Sequence, residues 1–133
     1  MFFDKFNISD YDSLIFVSST SWTPDENFEI LMDAITRSDK QISQFKGEKR
    51  SIVLVITGKG PLRKAFEDKL KYLRLRNLKV LTVWLEPEAY PKLLACADLG
   101  ISLHTSSSGL DLPMKIVDML GSGLPVCAYS YEW

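Results

Sequence analysis

The sequence predicts an α/β fold: a Rossmann-like open parallel sheet with helices on both faces. Three observations point to it. Short β-branched runs alternate with amphipathic stretches four times, and a fifth apolar run follows. The apolar runs are continuous instead of alternating, as in strands covered on both sides. Most runs lead through turn-forming residues into a helix start, so the polar loops gather at one end of the sheet. A length of 133 residues suits one domain spanning 1–133.

Each element has its own signal. "SLIFVSS" (13–19) is β-branched and aromatic, a strand. The stretch 23–42 reads as a helix: Thr23 can cap it, with Glu26 three residues on as in a capping box, and Pro24 suits the first turn. Phe28, Leu31, Met32 and Ile35 then form one apolar face. "SIVLVIT" (51–57) is the clearest strand. "GKGP" turns the chain into a charged amphipathic helix over 62–75, with Leu62, Phe66, Leu70 and Leu73 inward. A third strand follows at 78–85, a short helix at 87–97 and a fourth strand at 98–103. The helix at 113–123 opens on Pro113 and is stopped by glycine. "LPVCAYS" (124–130) reads as a fifth, buried strand. The chain stops at "YEW" immediately after it, where a doubly wound domain would continue into another helix; the expectation is a truncated domain or a fragment.

Composition narrows the function. Sixteen Lys and Arg against 17 Asp and Glu leave a net charge of -1, which provides no field for nucleic acid or an acidic membrane. The basic stretch "KGEKR" (46–50) reads as a solvated turn. No apolar stretch approaches the roughly 20 residues that span a bilayer, so the chain itself is expected to be soluble. Cys96 and Cys127 have no metal-ligand spacing and are expected as buried, reduced thiols.

The longest strand-to-helix loop is "LHTSSSGLDLPMK" (103–115). Ser106, Ser107 and Ser108 offer hydroxyls, Gly109 permits close backbone approach, and the following helix start favours an anion. A phosphate fits this loop; a plain surface loop capped by Asp111 fits it too. Gly58 and Gly60 flank a second strand-to-helix turn, where a tight turn is the simpler reading of GxG; Lys59 can contact a phosphate or face water, and water is the expectation. His104 is the one histidine in the sequence, and with no GxSxG elbow a hydrolase triad has no nucleophile. Lys115 and Asp118 share one helical face; Lys115 sits in the first turn, where the helix dipole disfavours a cation unless an anion lies near.

The stretches "FVSSTSWTPDENFEILMDAI", "ITGKGPL" and "WLEPEAYPKLLACADLGISLHTSSSGLDLPMKIVDMLGSGLPVCA" resemble the chitobiosyldiphosphodolichol beta-mannosyltransferases, from about residue 14 to residue 128. "HTSSSGLDLPMK" carries the resemblance most specifically and "SSTSW" next. The wider pattern of GxGP, then AD, then P-x-K-x-x-acid, then G-x-PV is shared across GT-B sugar-nucleotide transferases. The resemblance implies one Rossmann-like half of a GT-B enzyme, the half that binds GDP-mannose. It places Asp118 on the nucleotide ribose, Ser106 to Asp111 along the diphosphate and mannose, and Trp84 and Leu85 around the base. Gly58, Gly60 and His104 would border the same cleft. Related retaining transferases grip the diphosphate with an Arg and a Lys; Ser21 and Glu26 stand at those positions here, and Lys115 is the substitute.

The implied reaction is attack of an acceptor sugar hydroxyl on the anomeric carbon, with inversion, needing no cofactor and no bound metal. The implied acceptor is dolichol-linked chitobiose diphosphate, bound with the membrane by an N-terminal domain outside this chain, at the cytosolic face of the endoplasmic reticulum. A module that binds nucleotide without transferring sugar is the rival reading.

Overall fold

The computed structural model describes residues 13–24, 26–47, 50–105 and 114–130. The elements run β1 (Leu14–Ser19), α1 (Phe28–Gln44), β2 (Ile52–Thr57), α2 (Arg63–Tyr72), β3 (Leu78–Val83), α3 (Tyr90–Cys96), β4 (Leu99–Ser102), α4 (Met114–Gly121) and β5 (Val126–Ala128). The strands form one sheet in the order β3-β2-β1-β4-β5, every pairing parallel. Residues 52–57 pair in parallel register with 78–83, as the sequence predicts. The chain builds outward from β1 to β3, then crosses back to lay β4 on the other side of β1. This reversal leaves a crevice beyond the carboxyl ends of β1 and β4, where open α/β sheets bind ligands.

Continuous apolar strands follow from this layering. Successive side chains of a strand point to opposite faces. Ile15, Val17, Val53, Val55 and Val83 therefore join Leu93 and Leu94 of α3 and Met119 of α4 in one core. Leu54, Ile56 and Leu78 join Leu31 and Ile35 of α1 and Phe66 of α2 in the other. Both faces of the central strands are covered, so apolar alternation has no place in them.

Several boundaries differ from the sequence reading. Helix α1 starts four residues after Pro24, because Asn27 is the N-cap: its side-chain oxygen accepts from the N–H groups of Glu29 and Ile30. Thr23 instead closes a turn, with the Glu26 N–H donating to its carbonyl, and Glu26 makes an antiparallel bridge to His104. The expected box of Thr23 and Glu26 is thereby replaced. Strand β3 stops at Val83, which releases Trp84 and Leu85 from the sheet. The fifth strand is an exposed edge rather than a buried one, with Cys127 and Ala128 open to solvent. Cys96 is exposed as well, since Leu93 and Leu94 take the inward face of α3. Neither thiol is buried, contrary to the sequence reading.

Two connections brace β1, one at its amino end and one just beyond its carboxyl end, beside the crevice. Asp98 clasps β1 from β4: its carboxylate accepts from the Ile15 N–H at 2.8 Å and its own N–H donates to the Ile15 carbonyl at 2.7 Å. Trp22 carries a positive φ of 53° and is fully buried. Its backbone N–H donates to Thr20 Oγ1, its indole Nε1 is buried with no hydrogen-bond partner among the described residues, and its ring stacks on Phe28 at 4.9 Å and against Phe66 at 5.1 Å. The left-handed backbone costs about 1–3 kcal/mol, and burying an indole among two aromatic rings offsets it.

Candidate functional site

Four of the loops expected to matter lead off the carboxyl ends of β1, β2, β3 and β4. Beyond the first three lies a cavity of about 470 Å³. Its walls come from Ser19, Thr20 and Ser21 after β1, from Thr57, Gly58 and Lys59 after β2, and from Trp84, Leu85 and Pro87 after β3. Helix α3 contributes Tyr90, and α4 contributes Lys115 and Asp118. A second cavity of about 500 Å³ lies between α1 and α2, with Phe28, Phe66 and Lys69 in its walls. Lys69 there is paired with Glu29, and the strand ends Ser19 and Thr57 do not line it. The first cavity, at the strand ends, is therefore the candidate site.

Backbone packing sets its floor. Gly58 has φ +125°, and a Cβ built there would lie 1.7 Å from the Thr20 carbonyl oxygen. A Cβ on Gly60 would lie 1.9 Å from the Ser21 carbonyl oxygen. The two glycines let the loop after β2 press against the loop after β1, so their first duty is to the protein's own backbone. Gly58 also lines the cavity; Gly60 does not. The tight-turn reading of GxG is the one the structure supports.

Hydroxyls furnish the inner wall. Thr57 Oγ1 donates to Ser19 Oγ at 3.2 Å, and Ser19 Oγ lies 2.7 Å from the Tyr90 hydroxyl. Burial pushes the Tyr90 phenol above its usual 10.0; the Ser19 hydrogen bond opposes the rise and the Asp118 charge adds to it. Tyr90 is thus a neutral proton donor at physiological pH.

The charged groups come from α4 and its surroundings. Burial pushes the Lys115 ammonium below its usual 10.5, and the Glu26 carboxylate draws it back up. Lys115 answers the question its first-turn position raised: the nearby anion within the protein is Glu26, itself 9% exposed. Asp118 stands at the solvent-facing rim. On the opposite wall the Lys59 ammonium lies over the half-exposed Trp84 ring, so Lys59 does not simply face water.

Of the residues singled out in the sequence, Ser21, Gly58, Trp84, Leu85, Lys115 and Asp118 meet at this cavity. Gly60 packs behind it. His104 is held in its bridge to Glu26 and is not in the wall. Ser106, Ser107, Ser108, Gly109, Asp111 and Pro113 lie outside the described residues. Ser19, Thr57 and Lys59 lie in the strand-end loops 18–23 and 57–61, which the sequence marks for a ligand without naming them for the donor; Tyr90 was not expected there. Ser19 and Thr57 end strands that read as purely apolar, though their position before a loop marked them. Tyr90 opens a helix whose apolar content suggested core packing alone.

The family model for glycosyl transferases group 1 matches residues 12–132. The chain belongs to this family. As a group 1 glycosyltransferase it has curated relatives of high identity. It is 52% identical over 128 residues to the UDP-glycosyltransferase TURAN of Arabidopsis thaliana, covering 87% of this chain and 28% of the relative. It is 47% identical to the chitobiosyldiphosphodolichol beta-mannosyltransferase of Dictyostelium discoideum, covering 89% of this chain and 27% of the relative. The Homo sapiens protein of the same name is 52% identical, with 89% and 25% covered. The group 1 glycosyltransferase chain thus spans about a quarter of the length of the curated relatives it matches.

Among solved structures, the GtfA/B complex superposes on 95% of the chain with a TM-score of 0.65 at 14% identity, over 22% of that chain. The pneumococcal O-GlcNAc transferase GtfA, solved with UDP and GlcNAc, superposes with a TM-score of 0.59 at 13% identity, covering 90% of this chain and 21% of that one. These likenesses bear on the fold, and they agree with the Rossmann-like class read from the sequence. Among the described residues, no helix is long and apolar enough to cross a membrane.

Proposed function

We propose that this chain is the donor-binding half of a mannosyltransferase that moves mannose from GDP-mannose to dolichol-linked chitobiose diphosphate. The observation that carries this reading is the 47–52% identity to chitobiosyldiphosphodolichol beta-mannosyltransferases of Dictyostelium discoideum and Homo sapiens across 89% of the chain. The cavity supports it chemically. Lys115 offers full positive charge to a diphosphate, the hydroxyls of the inner wall offer further donors, and Asp118 offers an acceptor for ribose hydroxyls. Trp84 presents an open aromatic face to a base.

In this reading the chain's share of catalysis is to bind the donor and to stabilise the diphosphate as it departs. Lys115 and the loop hydroxyls supply that field without a resident cofactor. Acceptor binding, deprotonation of the attacking hydroxyl and the membrane contact belong to the rest of a polypeptide about four times as long, at the cytosolic face of the endoplasmic reticulum.

A second reading has the same geometry with a uridine donor, favoured by the name of the Arabidopsis thaliana relative. Titration calorimetry with GDP and with UDP separates them. The expected result is preferential GDP binding, followed by mannosyl transfer from GDP-mannose to a chitobiosyl-diphosphate lipid by the protein containing this domain. Preference for UDP by tenfold or more would replace the mannose reading, and no binding of either nucleotide would remove the donor-site reading altogether.

A further inference from the structure

Three hydroxyl groups at the carboxyl end of the sheet share two hydrogen bonds, from Thr57 to Ser19 and between Ser19 and Tyr90. Each hydroxyl has one proton to give, so two are used and one is left over. Thr57 and Ser19 are 5% and 7% exposed and wedged between strand ends, whereas Tyr90 is half-buried in the cavity wall. Either oxygen of the Ser19–Tyr90 pair can donate; in the chain where Thr57 gives to Ser19 and Ser19 gives to Tyr90, the spare proton is the one on Tyr90, available to the cavity. Each donation polarises the next hydroxyl, which makes the last one a better donor.

In that arrangement no described residue accepts the Tyr90 proton. Among the described residues the Tyr90 hydroxyl has Ser19 as its hydrogen-bond partner, and Asp118 acts on it through charge alone. The cavity therefore presents two kinds of polar group. Tyr90 and Lys115 donate protons; Asp118 accepts them. A phosphate oxygen can only accept, and a ribose hydroxyl can satisfy Asp118 by donating. We infer that Tyr90 is a binding residue for the sugar nucleotide, its hydroxyl proton given to a phosphate oxygen and its aim fixed by Ser19 and Thr57. This assignment rests on the donor-site reading above and adds to it a phosphate contact on α3.

Tyr90→Phe keeps the ring and removes the proton. The test is calorimetry on the full chain with GDP and with guanosine, alongside thermal melts. GDP binding is expected to weaken about tenfold, as for loss of one hydrogen bond to a charged group, with guanosine binding unchanged. Ser19→Ala keeps the Tyr90 proton but frees its direction, and a smaller, roughly threefold loss for GDP alone is expected. Unchanged GDP affinity in Tyr90→Phe, or equal losses for GDP and guanosine, would overturn the assignment. If Tyr90→Phe does not fold, Ser19→Ala decides by the same criterion. Wild-type chain that binds neither GDP nor UDP would overturn the donor-site reading, and this assignment with it.

Discussion

The Lys59 ammonium sits 4.8 Å from the centroid of the Trp84 ring, closing one face of the ring from the loop after β2. The two residues belong to different strand ends, so the contact ties the second and third loops of the cavity together. At an exposed site a cation over indole contributes about 0.5–1 kcal/mol. Lys59→Met is expected to lower stability by no more than this while shifting the emission of Trp84. Urea melts and the difference spectrum against Trp84→Phe check it; an unshifted spectrum would mean that the contact does not persist in solution.

Gly58 allows a sharper test. Alanine there combines a left-handed backbone with a Cβ driven into the Thr20 carbonyl. Strain and overpacking together are expected to cost roughly 3–5 kcal/mol, enough to leave a marginal domain largely unfolded. Gly121, in the last turn of α4, has open space around its would-be Cβ. Gly121→Ala should be neutral or stabilising by up to about 1 kcal/mol. Equal melts for the two variants would refute the packing account of the GxG turn.

Lys115 and Glu26 make a charge pair whose two halves have opposite effects on an anionic ligand. Lys115→Ala is expected to weaken GDP binding by about 1–3 kcal/mol, as for loss of one charge-assisted contact. Glu26→Gln, which deletes the competing negative charge, should strengthen it. Asp118→Asn should cost less than Lys115→Ala, because an amide oxygen still accepts. Titration calorimetry on the three variants orders them; a Glu26→Gln variant with weakened GDP binding and an unchanged melt would show that Glu26 serves the ligand directly.

Acid stability follows from Asp39 and Glu67. Burial pushes the Asp39 carboxyl up, but hydrogen bonds from the N–H groups of Asn77, Leu78 and Arg76, with the Arg76 charge, outweigh this and hold it below 3.8. Hydrogen bonds from Thr82 and Arg63 hold Glu67 below 4.5. Both folded-state values are depressed, so their stabilisation is present above the unfolded values and disappears as pH falls through the folded ones. Stability is expected to decline below about pH 4.5, and Asp39→Asn should flatten the part of that decline below 3.8. Chemical melts between neutral pH and pH 3 measure it; a wild-type slope kept in the variant would assign the acid loss elsewhere.

The layered sheet was legible because its signal is repeated: Val53, Leu54, Val55 and Ile56 in succession require cover on both faces, and a parallel order follows. Helix starts were less legible. Thr23, Pro24 and Glu26 satisfy the local rules for a start, yet Glu26 is taken by His104, a partner 78 positions away that no local pattern reveals. The site was half legible. The glycine turn announced Gly58 and the helix start Lys115, whereas Ser21 came from the family resemblance. Tyr90 could not, because an aromatic residue in an apolar helix reads as core until Ser19 is seen to lie within hydrogen-bonding distance of its hydroxyl. The exposed thiols show the same limit: Cys127 is apolar by type, but it stands on the last strand of the sheet.

The clasp between Ile15 and Asp98 has a consequence for the order in which the molecule can be built. During synthesis β1 emerges before the other strands of this sheet and finds β2 soon after, but its other edge waits for residues 83 positions later. Until then a strand of Leu, Ile, Phe and Val offers a bare row of N–H and C=O groups, a template for any passing strand. Asp98 fills the Ile15 position with two bonds at once, so its arrival seals that edge where β4 begins. Replacing it should therefore harm yield from the ribosome, through aggregation of nascent chains, more than it lowers the melting point of those molecules that fold.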